Sequence, residues 1–427
     1  MGSSRSPRRL AGLAGAAAVV LGLLTGGPPA ARAQGQLGPV FNPNGAVSWG
    51  FNGNGDLGDG TTADRALPGP VSGLTSGVVQ VAAGGRHGLA ITSGGIVWAW
   101  GSNSFGQLGD GTLTEHDTPE QVTGLSGVRQ VAAGWDHSLA LRSDGTVWAW
   151  GGNNHGQAGT GAAGANQLTP VQVAGLTGVT KIAAGYRFSL ALRSDGTVWA
   201  WGLGNQGQLG NSATFDSAVP VQTWMTQATS IAAGWDAAYA VRSNSAGATV
   251  WSWGGDTCGD LGLGATAAGT TPMVTIPQPV IGITTPNIVQ VSGGQYYALA
   301  LGSDGQVWGW GADKPGSQVG YKCPVTAMPV VAVGSGITQL SAGQDHVLAL
   351  AGGIVIAWSY NFHGELGTGS TAPIAGMVHV VGLSGVTQAA RLSGFGVTAG
   401  RTGTRGRARR RPARSSSSRW LGSRVAG

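Results

Sequence analysis

Short segments of five to seven residues, in which hydrophobic and polar positions alternate, recur along the chain between glycine-rich turns. The clearest unit begins at residue 128. Residues 143–146 read Ser-Asp-Gly-Thr, and an Asp-Gly pair at this place predicts a tight hairpin. The hairpin joins the second and third of four predicted strands, which cover 128–134, 137–142, 147–151 and 170–173. The unit therefore predicts four short antiparallel strands.

The pattern Trp-x-Trp-Gly repeats this unit along the chain. Its second tryptophan falls at Trp100, Trp150, Trp201, Trp253 and Trp310, and partial copies end at Trp49 and Trp358. A period of about 50 residues with four strands in each unit is typical of propeller blades. The chain begins with a third strand at Trp49 and ends with a first and second strand over 386–399. We therefore predict an all-β, seven-bladed propeller of four-stranded antiparallel blades, closed by the N-terminal strand, because that closure removes two open sheet edges.

The repeated motifs resemble those of one known family. They read Ala-Ala-Gly-x-x-His-Ser-Leu-Ala-Leu, Ser-Asp-Gly-Thr-Val-Trp-Ala-Trp-Gly and Asn-x-x-Gly-Gln-Leu-Gly, and they cover residues 44–399. This order closely resembles the regulator of chromosome condensation repeat. The resemblance implies a seven-bladed propeller, and it leaves the function open because the family contains several functions.

Three family functions are relevant. A nuclear member exchanges guanine nucleotide on the small GTPase Ran, a plant member senses ultraviolet-B light with clustered tryptophans, and a secreted member inhibits a β-lactamase through its propeller face. In this chain Trp135 and Trp235 fall two blades apart, so we do not expect a coupled tryptophan cluster. We expect the closest parallel to be the secreted, partner-binding member.

The two termini differ from the repeats in composition. Three arginines, an apolar run over 10–24 and the triplet Ala-Arg-Ala predict a secretory signal peptide over residues 1–33. The remaining chain shows no other apolar stretch of membrane-spanning length. We therefore expect a protein that is secreted or lies on the cell-envelope exterior, with its propeller over residues 34–400.

The charge of the predicted propeller differs from that of the whole chain. Residues 34–400 hold 24 − 4 − 9 = 11 basic and 18 acidic residues, a net charge of −7, which excludes a nucleic-acid-binding body. Nine arginines lie in the tail 401–427, which we predict to be disordered. The tail either binds anionic envelope polymers or is the product of a reading-frame shift.

Two positions in each unit vary while their surroundings repeat. They lie between Gly and His, in the turn between the first and second strands, so a propeller places them in a ring on one face. Aromatic residues and arginines of this kind are enriched at protein interfaces. The ring of candidate binding residues consists of Arg86, Trp135, Asp136, Tyr186, Arg187, Trp235, Asp236, Tyr296 and Asp345.

The sequence contains few candidates for chemistry. It has no phosphate-binding glycine loop with lysine and no His-x-x-x-His, so we predict no cofactor, no metal and no catalytic residue. Glu115, His116 and Asp117 form the one unrepeated titratable run, which could serve acid–base chemistry. Cys258 and Cys323 lie in equivalent loops of consecutive units, and they either form a disulfide or stay free thiols.

These observations predict a secreted, non-enzymatic propeller that binds an extracellular protein or glycan through one loop face. The alternatives are a regulator of the guanine-nucleotide-exchange type, implied by the resemblance, and an extracellular polysaccharide-active enzyme that uses residues 115–117.

Overall fold

The computed structural model describes residues 45–245, 247–264, 273–284, 287–312, 326–330, 336–374, 376–391 and 395–400. The predicted signal peptide, the tail 401–427 and Cys323 lie outside these residues. Every regular element in the described part is a β-strand. No helix in these ranges has the length and apolar character needed to cross a membrane.

Seven four-stranded sheets form the blades, and we number six of them along the chain. Blade 1 contains β3 (Val78–Ala83), β4 (His87–Thr92), β5 (Val97–Gly101) and β6 (His116–Gln121). Blade 2 contains β7 (Val128–Ala133), β8 (His137–Arg142), β9 (Val147–Gly151) and β10 (Gln167–Gln172). Blade 3 contains β11 (Val179–Ala184), β12 (Phe188–Arg193), β13 (Val198–Gly202) and β14 (Ser217–Gln222).

The second half of the chain repeats this arrangement. Blade 4 contains β15 (Ala228–Ala233), β16 (Ala237–Asn244), β17 (Gly247–Gly255) and β18 (Met273–Pro279). Blade 5 contains β19 (Ile288–Gly293), β20 (Tyr297–Gly302), β21 (Val307–Gly311) and β22 (Met328–Pro329). Blade 6 contains β23 (Ile337–Ala342), β24 (His346–Ala351), β25 (Ile354–Ser359) and β26 (Val378–His379). The closing blade contains β1 (Ala46–Gly50), β2 (Arg65–Pro70), β27 (Val386–Arg391) and β28 (Phe395–Gly400).

The closing blade combines the two ends of the described chain. Strand β1 pairs antiparallel with β28, from Ala46 opposite Ala399 to Gly50 opposite Phe395. On its other side β1 pairs with β2. The first strand of each blade contacts the first strand of the next, and β27 contacts β3. The predicted propeller of four-stranded antiparallel blades is therefore confirmed, with an N-terminal strand inside its closing sheet.

The second tryptophan of the repeat connects neighbouring blades. The indole Nε1 of Trp150 donates to the carbonyl oxygen of Gln107 in blade 1 at 2.8 Å, and Trp201 donates to Gln157 in blade 2 at 2.9 Å. Both indoles are fully buried. A buried indole has one donor, and each of these donors is satisfied by the preceding blade. The Trp period in the sequence is thus the period of the contact between blades.

Glutamine side chains on the innermost strands form a second connection. The Gln80 amide donates to the carbonyl oxygen of Val131 at 3.2 Å, and its oxygen accepts from the Val131 N–H at 2.9 Å. Gln388 makes the same pair of bonds to Val81, across the junction of the closing blade and blade 1. Each glutamine therefore satisfies the backbone of the next inner strand, which has no ladder partner on that side.

The turns between first and second strands converge near the propeller axis. A Cβ atom on Gly134 would lie 2.8 Å from the carbonyl oxygen of Gly185 in the next blade, closer than a side chain allows. The Ala-Ala-Gly step ends in glycine because neighbouring turns approach this closely. The residues that follow these glycines are the ones that the sequence singled out as variable.

Candidate functional site

The first residue of each variable pair faces the axis at one end of the propeller. These residues surround a cavity of about 130 Å³, floored by the Ala-Gly steps of the repeats. We call this end of the channel the axial mouth, and its residues are Gly85, Trp135, Tyr186, Trp235, Gln295 and Gln344. The structure thus brings the predicted positions of six blades to one place.

Three aromatic rings from blades 2, 3 and 4 form one cluster at the axial mouth. Tyr186 and Trp235 are stacked, with ring centroids 4.0 Å apart and planes 15° apart. Trp135 lies 5.4 Å from Tyr186 and 5.0 Å from Trp235. Each of the three residues is half-buried. We call this set the aromatic cluster.

The contact between Trp135 and Trp235 corrects a prediction. The sequence places these residues two blades apart, and we expected no coupled tryptophan cluster. Close to the axis, however, the turns lie on a circle so small that an indole reaches past the next blade. Gly85 adds to this arrangement because its missing side chain leaves room for the backbone and ring of Trp135.

The backbone beneath the aromatic cluster is fixed by hydrogen bonds between blades. The N–H of Trp135 donates to the carbonyl oxygen of Tyr186 at 3.2 Å, and the N–H of Tyr186 donates to that of Trp235 at 3.3 Å. The N–H of Trp235 donates to the carbonyl oxygen of Gly294 at 3.1 Å. The three rings are therefore mounted on a connected backbone, which lowers the conformational entropy lost when a partner binds.

The second residues of the variable pairs do not line the cavity, and Asp136 corrects the predicted ring most clearly. Its side chain is 2% exposed, so it does not contribute to a surface. Arg187 Nε donates to its carboxylate at 3.1 Å, and Gln157 donates at 3.2 Å. Burial alone would raise the pKa of Asp136, but hydrogen bonding and charge from His137 and the charge of Arg187 outweigh burial and lower it.

The Asp136 carboxylate positions Arg187, whose guanidinium lies 4.9 Å from the centroid of the Tyr186 ring. A guanidinium over an aromatic face is attracted by the ring quadrupole, and the hydrogen bond to Asp136 fixes the orientation of the Arg187 guanidinium. Arg86 is the exposed arginine of the ring, and it donates to the Asn54 side chain at 3.3 Å. The basic members of the predicted ring therefore lie beside the aromatic cluster and at the closing blade.

The acidic side of the predicted ring lies in blades 4 to 6. Asp236 is half-buried, and burial raises its pKa to about 6. Burial and the charges of Asp236 and Asp260 raise the pKa of the Tyr296 hydroxyl. Asp345 is also half-buried, and its carbonyl oxygen accepts hydrogen bonds from the Tyr360 N–H at 3.2 Å and from the Ser359 hydroxyl. The mouth is thus aromatic and basic on one side and acidic on the other.

A group of buried carboxyls behind Asp236 was missed from the sequence. Asp260 stands where three earlier units have glutamine, and Asp256 stands where others have asparagine. Asp260 is 2% exposed, and burial together with the charges of Asp256 and Asp236 raises its pKa to about 7. The exchange of an amide for a carboxyl within a repeated position was the available signal.

The unrepeated run at 115–117 does not form one chemical site. His116 Nε2 lies 2.8 Å from the Asp110 carboxylate, whereas Glu115 accepts a hydrogen bond from Asn54 at 3.0 Å. Strand β6 begins at His116, and consecutive side chains of a strand point to opposite sides. These residues therefore do not converge on one substrate atom.

Two histidine–aspartate pairs also escaped the sequence prediction. His155 Nδ1 lies 2.7 Å from Asp216, and His363 Nδ1 lies 2.6 Å from Asp64. Each pair joins the long loop of one blade to that of the next, so it has a structural role. In the described ranges no group of three or more His, Cys, Asp or Glu side chains could hold a metal ion.

Only one cysteine of the predicted pair lies in the part of the chain that the structure describes. Cys258 is part of a disulfide. Cys323 lies outside the described residues, so the pairing of Cys258 with Cys323 stays a prediction.

Comparison with known proteins places the propeller in a family. The RCC1-like domain model matches residues 45–399. The chain is 32% identical to the ultraviolet-B receptor UVR8 of Arabidopsis thaliana over 337 residues, 76% of this chain and 74% of the receptor. It is 31% identical to the E3 ubiquitin-protein ligase HERC2 of Homo sapiens over 345 residues, 78% of this chain and 6% of the ligase.

A solved structure agrees with the fold. The crystal structure of Prp20p from Saccharomyces cerevisiae is 24% identical, covers 84% of this chain and 91% of its own, and gives a TM-score of 0.71. The family match extends over all seven blades. This chain belongs to the RCC1-like domain family.

Proposed function

We propose that this protein is a non-enzymatic binding propeller that is exported and captures a protein partner at its axial mouth. The observation that carries the proposal is the aromatic cluster. Trp135, Tyr186 and Trp235 come from three blades, touch one another and are half-buried rather than enclosed. Large aromatic side chains at the rim of a cavity are the residues that most often dominate a binding interface.

The size of the axial mouth favours a macromolecular partner. Sites for cofactors and small ligands usually have volumes of about 300–1,000 Å³. The cavity here has about 130 Å³, which suits one inserted side chain. A stable protein interface covers about 800 Å² on each partner, so a partner would also cover the charged residues around the mouth.

The charge distribution around the mouth supports a protein rather than a nucleic acid. Arg187 and Arg86 lie on one side, and Asp236, Tyr296 and Asp345 lie on the other. A phosphate backbone would be repelled by the acidic side, whereas a folded partner can present both charges. Prp20p, a structural relative of this chain, binds Gsp1p and histones.

The proposal is tested by capturing partners from native culture medium with immobilised wild-type protein, followed by mass spectrometry. The triple variant Trp135→Ala/Tyr186→Ala/Trp235→Ala should lose the partner that the wild type captures. Leu113→Ala/Phe215→Ala is the matched control, because it removes hydrophobic side chains that are 55% and 78% exposed on outer loops. Thermal melting of each variant shows whether the propeller is intact.

Three outcomes decide the proposal. Loss of one protein from the triple variant alone supports it. Equal capture by the triple variant and the control excludes the axial mouth. Loss of a glycan, but of no protein, would make a glycan the partner, because aromatic rings also stack on sugar rings. Detection of the chain only in the cytoplasm would contradict export and favour a role of the nucleotide-exchange type.

A second candidate function follows from the aromatic cluster itself. The receptor of Arabidopsis thaliana that is 32% identical to this chain is an ultraviolet-B receptor. Trp135 and Trp235 are close enough for their excited states to interact. Under this alternative, ultraviolet-B illumination would change partner capture by the wild type and leave the Trp135→Phe/Trp235→Phe variant unchanged. An identical response of both proteins to illumination would exclude it.

A further inference from the structure

The opposite end of the propeller carries a concentration of positive charge. The hairpins between second and third strands lie there, since each blade turns at alternate ends. On blades 2 to 4 this end carries five cationic side chains, Arg129, Arg142, Lys181, Arg193 and Arg242. We call this set the basic hairpin face. Two aspartates accompany it on these hairpins, although acidic residues outnumber basic ones by 18 to 11 over residues 34–400.

Three arginines of this face each lie over a tryptophan ring, in consecutive blades. The guanidinium carbons of Arg142 and Arg193 each lie 5.9 Å from the centroid of a tryptophan ring in the same blade. The corresponding distance for Arg242 is 5.0 Å, to Trp251. Stacking on an indole holds the guanidinium plane in place, so less side-chain entropy is lost when it binds a ligand.

Backbone carbonyls also accept hydrogen bonds from three arginines of this face. Arg142 Nε donates to the carbonyl oxygen of Ser126 at 2.9 Å, and Arg193 Nε donates to that of Thr177 at 3.0 Å. Arg129 Nη2 donates to the carbonyl oxygen of Val179 at 2.9 Å and so connects blade 2 to blade 3. These neutral contacts orient the positive charges without neutralising them.

Two of these arginines lie close to carboxylates of their own hairpins. Arg142 Nη1 lies 3.3 Å from the Asp144 carboxylate, and Arg193 Nη1 lies 3.6 Å from that of Asp195. Both carboxylates are nearly half exposed, so these pairs contribute little and can exchange with an external carboxylate. Blade 4 has Asn244 where blades 2 and 3 have aspartate, and Arg242 instead donates to the Gln227 side chain at 3.0 Å.

An exposed tryptophan lies at the same end of the propeller, just after the last residue of β14. Trp224 is 67% exposed and belongs to the connection between β14 and β15. Gln227, the residue that receives Arg242, belongs to the same connection. This end of the propeller thus has both an exposed indole and oriented guanidiniums, two kinds of side chain that are enriched in binding hot spots.

We propose that the basic hairpin face docks an acidic polypeptide segment, whose carboxylates pair with Arg142, Arg193 and Arg242 while an apolar side chain packs on Trp224. Arg142 and Arg193 already contact the carboxylates of Asp144 and Asp195, whereas blade 4 has Asn244 at the equivalent position. These observations support a Glu- or Asp-rich peptide. This surface lies at the end opposite the axial mouth, so the proposal does not rest on the proposed function.

The test measures binding of a fluorescein-labelled peptide, rich in glutamate and containing one leucine, to the full-length chain at low salt. The variant Arg142→Gln/Arg193→Gln/Arg242→Gln should raise the Kd at least tenfold. Trp224→Ala, which changes no charge, should raise it several-fold. Arg65→Gln is the control, because it removes one positive charge from the closing blade, and it should leave the Kd within twofold. The basic tail is common to all these proteins, so differences among them report on the face.

Each result supports or overturns the proposal. Wild-type affinity in the triple arginine variant overturns it, provided that thermal melting shows a folded propeller. Trp224→Ala could leave the Kd unchanged while dextran sulfate competes more strongly than unlabelled peptide of equal charge. These two results together would assign the face to sulfated polymers and contradict the proposal. Self-association of the wild type that the arginine variant abolishes would make a second copy the occupant and also contradict it.

Discussion

The indole nitrogen of Trp49 donates a hydrogen bond to the carbonyl oxygen of Glu365, 316 residues later in the chain, at 2.9 Å. Trp201 makes the same contact to Gln157 inside the ring at the same distance. Both indoles are 0% exposed. The contact that closes the propeller is therefore equivalent to the contact that joins its internal blades.

We expect Trp49→Ala to lower the free energy of unfolding by about 3–5 kcal/mol, the usual cost of truncating a buried tryptophan. Trp201→Ala is the matched control and should cost a similar amount. Chemical denaturation of both variants measures the two values. A cost for Trp49→Ala far below that for Trp201→Ala would show that the N-terminal strand is dispensable.

The aromatic cluster should have an optical signature. Ring centroids 4.0–5.4 Å apart allow the transitions of Trp135, Tyr186 and Trp235 to couple. Trp235→Phe should remove an exciton couplet from the ultraviolet circular dichroism spectrum. Trp224→Phe changes an exposed indole at the other end of the molecule and should leave the couplet intact. A wild-type spectrum that equals the sum of separate aromatic contributions would contradict the geometry.

The buried carboxyls of blade 4 should make stability depend on pH. The pKa values of Asp236 and Asp260 are raised from 3.8 to about 6 and about 7. Since the folded state binds these protons more tightly than the unfolded state, their contribution is fully present below about pH 4 and is lost as the pH rises through 6 to 7. The melting temperature should therefore fall between about pH 4 and pH 7.

Asp260→Gln restores the residue of the neighbouring units and separates this effect from others. It should weaken the pH dependence and increase stability at pH 8 by a few kcal/mol, since one pKa unit corresponds to about 1.4 kcal/mol. Asp304→Asn in an exposed hairpin is the control and should leave the profile unchanged. A profile for Asp260→Gln that matches the wild type would rule out this carboxyl as the cause.

The pair of Asp136 and Arg187 should affect binding indirectly. Asp136→Asn removes the negative charge that holds Arg187 beside Tyr186. Arg187 Nε lies 3.1 Å from the Asp136 carboxylate. We expect a loss of about 1–3 kcal/mol in stability, because a buried charged hydrogen bond is broken. Partner capture should also weaken, although Asp136 itself is buried. Full capture by a folded Asp136→Asn variant would show that the orientation of Arg187 is unimportant.

The repeat explains why much of this fold could be predicted from the sequence. The tryptophan period sets the blades, and the incomplete units at both ends indicate the shared closing sheet. The positions after the Ala-Ala-Gly step were expected on one face, and Trp135, Tyr186 and Trp235 lie together there. The sequence does not show how far each turn lies from the propeller axis, however. The turns lie so close to the axis that residues of alternate blades come into contact.

Other features depend on side-chain environments that the repeat does not specify. Asp136 and Asp236 occupy equivalent positions, but Arg187 and Gln157 donate hydrogen bonds to the carboxylate of Asp136, whereas burial alone raises the pKa of Asp236. The two residues therefore differ in burial and in the direction of their pKa shift. The basic hairpin face was missed because the net charge of residues 34–400 is negative. That sum does not show that the fold places basic side chains of blades 2 to 4 at one end of the propeller.

The affinity of the partner captured by the wild type gives the most direct test of the axial mouth. Its Kd should rise at least a hundredfold, about 2.7 kcal/mol, in the Trp135→Ala/Tyr186→Ala/Trp235→Ala variant. The Leu113→Ala/Phe215→Ala control should stay within twofold of the wild type. A folded triple aromatic variant that binds the partner with wild-type affinity would contradict the account.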